Sequence, residues 1–85
     1  MATEPQPSST TREFVEFTAR LLAHSPDEVQ VEEKVDGETI VYTLKLASDD
    51  IGRVIGREGR IVRAIRSLLR AAAMRQGIRV ALEIE

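Results

Sequence analysis

The feature that most constrains this chain is a pair of glycines, Gly56 and Gly59, flanked on both sides by apolar residues at helical spacing. The spacing predicts a short helix over residues 50–55 and a long helix over residues 60–76. Glycine adopts backbone conformations with positive φ at little cost, so the pair predicts a tight turn between the two helices. Arginine is concentrated around the same turn, which makes it the expected contact point for an anionic partner.

The distribution of charge along the chain supports an anionic partner, whereas the net charge of the chain does not. The net charge is −2, which by itself argues against a nucleic-acid partner. However, residues 1–50 carry 4 Lys/Arg and 11 Asp/Glu, a net charge of −7, whereas residues 51–85 carry 8 Arg and 3 Glu, a net charge of +5. This asymmetry indicates an anionic partner for the basic half, although two solvated faces of opposite charge would give the same numbers.

Length and composition exclude several classes of protein. A chain of 85 residues forms at most one small domain. The lack of a long apolar run predicts no membrane span, and the polar first ten residues predict no signal peptide. Without cysteine, and with His24 as the single histidine, neither a disulfide nor a structural zinc site is expected. We therefore expect a cytoplasmic protein without a cofactor, a metal or a small-molecule substrate.

The first half of the chain predicts a helix and a β-hairpin. Residues 1–10 are rich in proline and serine and predict a disordered tail, followed by one domain over residues 11–85. A helix is predicted over residues 11–24, with a core-facing side of Phe14, Phe17, Thr18, Leu21 and Leu22. Alternating valines predict a strand near residues 29–35, and Asp36-Gly37 predicts a type I′ hairpin turn. The return strand, residues 39–46, places Ile40, Tyr42, Leu44 and Leu46 towards the core.

The second half predicts two helices and a last strand. Ser48, Asp49 and Asp50 are candidate N-caps of the short helix. The long helix has an apolar stripe of Ile61, Ile65, Leu68, Leu69 and Ala72, with Arg60, Arg63, Arg66 and Arg70 on the other side. Alternation over residues 78–85 predicts the final strand. The order α-β-β-α-α-β predicts a two-layer α+β fold, with helices on one face of a three-stranded mixed sheet whose last two strands are parallel.

The chemistry of the glycine turn favours phosphate binding. Unpaired N–H groups at the start of the long helix suit an anion, and Arg53, Arg57 and Arg60 add positive charge around them. The spacing does not match a P-loop, which needs Gly-Lys, nor the Gly-x-Gly-x-x-Gly fingerprint of dinucleotide-binding proteins. A helix-turn-helix that binds duplex DNA uses similar parts and remains an alternative.

The segment Val54-Ile55-Gly56-Arg57-Glu58-Gly59-Arg60-Ile61-Val62 resembles the Ile-Gly-x-x-Gly motif of KH domains. The element order resembles the type II, prokaryotic KH arrangement over residues 11–85. This resemblance implies a loop that grips the backbone of about four unpaired nucleotides while the bases enter an apolar groove. The implied RNA-binding residues are Arg53, Ile55, Gly56, Arg57, Glu58, Gly59, Arg60, Ile61 and Arg63. Val54, Val62 and Ile65 are candidates for the groove or for the core beneath it. Arg79 or Val80 of the last strand is implied as the opposite wall of the groove.

Two properties predict weak binding by a single copy. Glu58 places an acid inside the loop, and exposed aromatic side chains for base stacking are nearly absent. Paired domains would then supply avidity. The resemblance also implies pairing of domains, since such bacterial proteins form homodimers and associate with KhpB/Jag-type KH proteins. It further implies a role in post-transcriptional regulation or as an RNA chaperone.

An enzyme is not expected. The chain has no Ser/His/Asp or Cys/His set, His24 lies at a predicted helix end, and helix capping explains Asp49 and Asp50. The remaining alternatives to an RNA-binding protein are an adaptor that binds protein through the helix-turn-helix surface and a DNA-binding module.

Overall fold

The computed structural model describes residues 9–85, which form three α-helices and three strands. These are α1 (Ser9–Leu22), β1 (Gln30–Asp36), β2 (Thr39–Lys45), α2 (Ile51–Ile55), α3 (Arg60–Arg75) and β3 (Arg79–Ile84). The predicted order is confirmed. The first eight residues of the predicted tail lie outside the described part of the chain. Helix α1 begins at Ser9, two residues before its predicted start. Within residues 9–85, no helix combines the length and apolarity needed to cross a membrane.

The sheet has the strand order β1-β2-β3, with β1 antiparallel and β3 parallel to β2. Asp36 pairs with Thr39 across the hairpin, so the turn residues are Gly37 and Glu38. Among them only Gly37 has a positive φ, 63°. A type I′ turn needs positive φ at both central residues, so the predicted turn type is wrong although the hairpin is confirmed.

The core lies between the sheet and the helices. Ile40, Tyr42 and Leu44 of β2 are fully buried, as their alternation predicts, and Leu46 packs at the margin. They are covered by buried residues of the other elements: Val15, Ala19, Val31, Val54, Ile65, Leu69 and Leu82. The central position of Tyr42 confirms that it is a core residue and not a platform for stacking bases.

The buried face of α1 matches the predicted one only in part, because Phe14 and Leu22 pack against the core whereas Phe17 and Leu21 do not. Thr11, Val15 and Ala19 are almost completely buried, whereas Phe17 is 64% exposed and Leu21 is 70% exposed. Small side chains four residues apart let the helix approach the sheet closely, and the Thr11 hydroxyl lies 2.6 Å from the Tyr42 hydroxyl at this contact. Burial of a polar threonine therefore depends on a partner that the apolar periodicity does not reveal.

Both edges of the sheet are capped by arginine side chains from the helices. Arg12 of α1 donates to the Val31 carbonyl of β1 at 2.8 Å, and also binds the Glu33 carboxylate. Arg66 of α3 donates to the Leu82 carbonyl of β3 from Nη2 at 3.0 Å and from Nε at 3.3 Å. Arg66 was predicted to point away from the core side of α3. It reaches the sheet edge instead, because its position on the helix lies next to the buried stripe.

Candidate nucleic-acid interface

Gly56 ends α2 in a conformation that is nearly restricted to glycine. Its φ is 78° and its ψ is 172°, and its N–H donates to the Gly52 carbonyl at 2.9 Å. The positive φ agrees with the prediction, and the extended ψ places the residue in a region that is essentially restricted to glycine. A Cβ at this position would lie 2.6 Å from Cγ1 of Ile61. Both the backbone and the lack of space therefore require glycine here.

At position 59, glycine is required for the backbone conformation and not for lack of space. It precedes α3 with φ 75° and ψ 16°, a left-handed helical residue, and its N–H donates to the Gly56 carbonyl at 3.1 Å. The nearest atom to a Cβ placed here is Nη1 of Arg63, at 3.7 Å. A neighbouring side chain therefore limits the space at Gly56 and not at Gly59.

Glu58, between the two glycines, also has a positive φ, 58°, and is alone in this among the non-glycine residues from 9 to 85. A left-handed conformation at such a residue costs roughly 1–2 kcal/mol. Its carboxylate projects into solvent, and Oε1 lies 3.8 Å from Nη2 of Arg60. The acidic charge inside the loop is therefore offset in part by a neighbouring guanidinium.

The turn presents positive charge to solvent. Arg57 and Arg60 are exposed, and Arg57 has no ion-pair partner within residues 9–85. Gly59, as the N-cap of α3, supplies no side-chain hydrogen bond, and the first turn of α3 holds no acidic residue. The Arg60 N–H donates to the Arg57 carbonyl. The environment suited to a phosphate therefore consists of the helix dipole and two exposed guanidinium groups.

The apolar residues around the turn divide into two groups. Val54, Val62 and Ile65 are buried, so these three candidates belong to the core. Ile55 and Ile61 are partly exposed beside the glycines and remain available to contact a base. Leu68, predicted to belong to the core stripe of α3, is 59% exposed and faces away from the sheet.

Asp50 has a role that the sequence did not reveal. The predicted N-cap contact is not formed. Instead, Oδ1 accepts a hydrogen bond from the N–H of His24 at 2.8 Å, and Oδ2 accepts one from the N–H of Ser25 at 2.9 Å. These two bonds hold the pKa of the buried Asp50 carboxyl below its usual value. Asp50 therefore ties the start of α2 to the end of α1.

Arg53, a predicted phosphate ligand, belongs to the same cluster. Its Nε lies 3.3 Å from Oδ1 of Asp50, so the carboxylate compensates part of its charge. Arg53 thus contributes less free positive charge to the turn than Arg57 does.

A groove lies between α3 and β3. Its volume is about 330 Å³, and its lining includes Arg66, Leu69, Arg70, Val80, Leu82 and Glu83. Arg63 lies on the same side of α3, one turn nearer the glycines. Of the two residues proposed for the opposite wall, Val80 lines this groove, whereas Arg79 lines a neighbouring one with Met74.

Comparisons with known proteins agree with this geometry. The sequence profile of the family described as KhpA/KhpB, KH domain, matches residues 12–84. The RNA-binding protein KhpA of Clostridium acetobutylicum is 44% identical over 73 residues, which cover 86% of this chain and 97% of that protein. The RNA-binding protein KhpA of Chlamydia pneumoniae is also 44% identical over 73 residues, covering 86% of this chain and 94% of the relative.

Two solved structures share the fold. A variant of Aquifex aeolicus Era bound to GDP and AlF4⁻ superposes with a TM-score of 0.59 at 21% identity, covering 99% of this chain and 32% of that one. Era in complex with MgGDPNP and a segment of 16S ribosomal RNA gives a TM-score of 0.56 at 17% identity, covering 99% and 35% of the two chains. This chain therefore corresponds to about a third of those longer proteins, and the likeness concerns the fold alone.

Proposed function

Because the chain belongs to the KhpA/KhpB family of type II KH domains, we propose that it binds short single-stranded segments of RNA through the turn from Gly56 to Gly59. The observation that carries the proposal is the turn itself, in which glycine conformations present the uncapped start of α3 beside the exposed Arg57. The names of its relatives as RNA-binding proteins support the choice of ligand. Post-transcriptional regulation or RNA chaperoning is the corresponding cellular role.

In this proposal the sugar-phosphate backbone lies across the turn. The positive end of the α3 dipole faces the phosphate, while the guanidinium groups of Arg57 and Arg60 donate to its oxygens. Ile55 and Ile61 provide an apolar surface for the first base. Unpaired strands are favoured because only unstacked bases can enter such a groove.

The decisive test changes the charge of the loop without changing its shape. The double variant Arg57→Asp, Glu58→Asp should lose RNA binding, measured by fluorescence anisotropy on an unstructured oligonucleotide. Both side chains are exposed, so the melting temperature should stay the same. Lys34→Asp is the matched control, because Lys34 is an exposed cation on β1, outside the turn and outside the helices. Unaltered affinity in the double variant would show that RNA binds elsewhere.

The exposed apolar residues of the helical layer support self-association. Phe17 and Leu21 lie one turn apart on α1, and Leu68 lies on α3; we call these three residues the apolar patch. Thr10, on the same side of α1, lines a cavity with Ala72 and Arg75, so this side of α1 faces α3. Large apolar side chains clustered on a surface of this kind commonly mark an interface.

We assign the patch to a second copy of the same chain. The exposed Glu13 of α1 and the exposed Arg75 of α3 have opposite charges, and each lies at helical spacing from a residue of the patch. When two copies pack through a twofold axis, α1 of one can therefore lie against α3 of the other with complementary charge. Such a dimer presents two glycine turns to one RNA, which raises the avidity of two weak sites.

Light scattering tests the dimer. The wild-type chain should have the mass of a dimer, and Phe17→Ser combined with Leu68→Ser should have the mass of a monomer. Met74→Ser is the control, because Met74 is more exposed than Phe17 and Leu68 but lies at the groove that includes Arg79. A monomeric wild-type chain would contradict self-association, and a complex with a KhpB/Jag-type KH protein that needs Phe17 would then assign the patch to that partner.

A further inference from the structure

The short helix α2 carries the glycine turn at its end, yet it has few contacts of its own to hold it in place. It consists of five residues, of which only Val54 is buried. No side chain caps its N-terminus. Because a helix of this length is not stable by itself in water, the position of α2 depends on the elements beside it.

Asp50, the residue immediately before α2, supplies a contact of this kind. It is 1% exposed, and its carboxylate accepts the N–H of His24 at 2.8 Å and the N–H of Ser25 at 2.9 Å. Each carboxylate oxygen thus binds one donor, and both donors belong to the loop that follows α1. Hydrogen bonds to an ionised acceptor are short and strong, so this loop and the start of α2 are fixed relative to each other.

The loop on the other side of this contact is itself well anchored. The N–H of Glu28 donates to the Ser25 carbonyl at 3.0 Å. The N–H of Val29 donates to the Pro26 carbonyl at 3.2 Å, and Val29 is 3% exposed where the chain enters β1. Asp50 therefore attaches α2 to a segment that is fixed to the core.

A chain of main-chain hydrogen bonds connects the start of α2 to the glycine turn. The carbonyl of Gly52, two residues after Asp50, accepts the N–H of Gly56 at 2.9 Å. The carbonyl of Gly56 in turn accepts the N–H of Gly59 at 3.1 Å. A shift of the start of α2 would therefore move both glycines of the turn. It would also change the position of Arg57 relative to the start of α3, and these are the groups proposed to bind phosphate.

We propose that Asp50 is a positioning residue for RNA binding, which holds the glycine turn in its binding conformation by joining the start of α2 to the loop after α1. The inference rests on the proposed binding of RNA by that turn. Asp50 itself is buried and acts through the main chain. When its contact is lost, the binding conformation becomes one of several, and the apparent affinity falls with the fraction of molecules that adopt it.

Charge and positioning predict opposite effects when Asp50 is neutralised. Six residues separate Asp50 from Gly56, which is about 9 Å along a helix at 1.5 Å per residue and within the Debye length of about 10 Å at 0.1 M salt. The carboxylate therefore opposes a phosphate at the turn, and it also compensates Arg53, whose Nε lies 3.3 Å away. On charge alone, Asp50→Asn should bind RNA more tightly. If Asp50 positions the turn, Asp50→Asn should bind more weakly, because an amide offers one acceptor oxygen to two donors.

Fluorescence anisotropy with an unstructured RNA oligonucleotide determines this sign, at a temperature where circular dichroism shows each variant to be folded. Asp50→Asn should bind about tenfold more weakly than the wild-type chain, as expected when the binding conformation falls to about a tenth of the molecules. Asp49→Asn is the matched control, because it makes the same change of charge at an exposed neighbour, and it should not weaken binding. Val15→Ala removes buried core from α1 and controls for lost stability, so its affinity should equal that of the wild-type chain.

Amide hydrogen exchange in the wild-type chain is a second measurement, which does not depend on the folding of Asp50→Asn. Bound RNA should slow exchange at His24 and Ser25, which donate to Asp50, more than at Glu28, which donates within the same loop. Equal protection of the three amides would overturn the proposal. Equal or tighter binding by Asp50→Asn, or a matching loss in either control variant, would do the same. If the wild-type chain bound no RNA, the proposed function itself would be wrong, so the two failures can be distinguished.

Discussion

The geometry of the glycine turn predicts that its two glycines differ in how much an added methyl group costs. For Gly56→Ala, alanine would have to adopt φ 78° and ψ 172°, a strained region that costs about 1–3 kcal/mol. Its Cβ would also lie 2.6 Å from Cγ1 and 2.9 Å from Cβ of Ile61. Overpacking of this kind typically costs a further ~1–3 kcal/mol.

For Gly59→Ala, the corresponding cost is smaller. Alanine in the left-handed helical region costs roughly 1–2 kcal/mol, and the nearest atom, at 3.7 Å, is in ordinary contact. In both variants, the loss of freedom in the unfolded chain returns about 0.4–1 kcal/mol. The net destabilisation should therefore be about 3 kcal/mol for Gly56→Ala and about 1 kcal/mol for Gly59→Ala.

Thermal unfolding followed by circular dichroism measures this difference. In a domain of this size, each kcal/mol lowers the melting temperature by about 4–8 °C. Gly56→Ala should thus melt at least twice as far below the wild-type chain as Gly59→Ala does. Gly52→Ala is the control, since Gly52 lies within α2 without a positive φ and an added Cβ would meet no atom within 4 Å. Equal losses at Gly56 and Gly59 would refute the steric argument.

Three further predictions concern other parts of the molecule. Because the pKa of Asp50 is lowered in the folded state, its contribution to stability is present above the ordinary carboxyl value of 3.8 and is lost as pH falls through the folded pKa. The difference in urea midpoint between the wild-type chain and Asp50→Asn should therefore shrink from pH 7 to pH 3. Val15→Ala should destabilise the fold much more than Phe17→Ala, in urea unfolding of both variants, because only Val15 is buried. Arg57→Gln should reduce the salt dependence of RNA affinity by about one phosphate contact, and Lys34→Gln, on β1, should not.

The sequence predicts those elements whose pattern has a single interpretation. Strand β2 alternates strictly between Ile40 and Leu44 and follows a glycine turn, so its start, its inward face and the burial of Tyr42 are correct, and it ends one residue earlier than predicted. The glycine pair likewise predicts the break between α2 and α3, because few other roles suit two glycines at this spacing. In both cases, local chemistry and tertiary packing require the same arrangement.

The sequence fails where two patterns compete. Helix α1 carries a stripe with large apolar side chains, including Phe17, and a second stripe of Thr11, Val15 and Ala19. Hydrophobicity favours the first stripe, but the smaller side chains of the second are the ones that approach the sheet. The difference depends on the Tyr42 hydroxyl, which satisfies Thr11 from a distant part of the sequence.

Sequence patterns also do not predict the long-range polar contacts of the site. Asp50 has the position of a helix cap, yet its carboxylate binds main-chain groups of His24 and Ser25, which are 25 or more residues away. Arg66 is one of several arginines on α3, and only the position of β3 distinguishes it from Arg63 or Arg70. Such contacts depend on how the layers pack and not on local spacing.

The arginine caps on the two sheet edges have a consequence for molecules that are partly unfolded. While α1 is in place, Arg12 occupies the Val31 carbonyl and so blocks the edge of β1 from pairing with a strand of another molecule. If α1 separates from the sheet, that carbonyl and the buried faces of Val31 and Ile40 become available together. Cleavage or truncation that removes α1 should thus leave a fragment prone to form intermolecular β-sheet. The first helix accordingly keeps the molecules apart as well as covering the core.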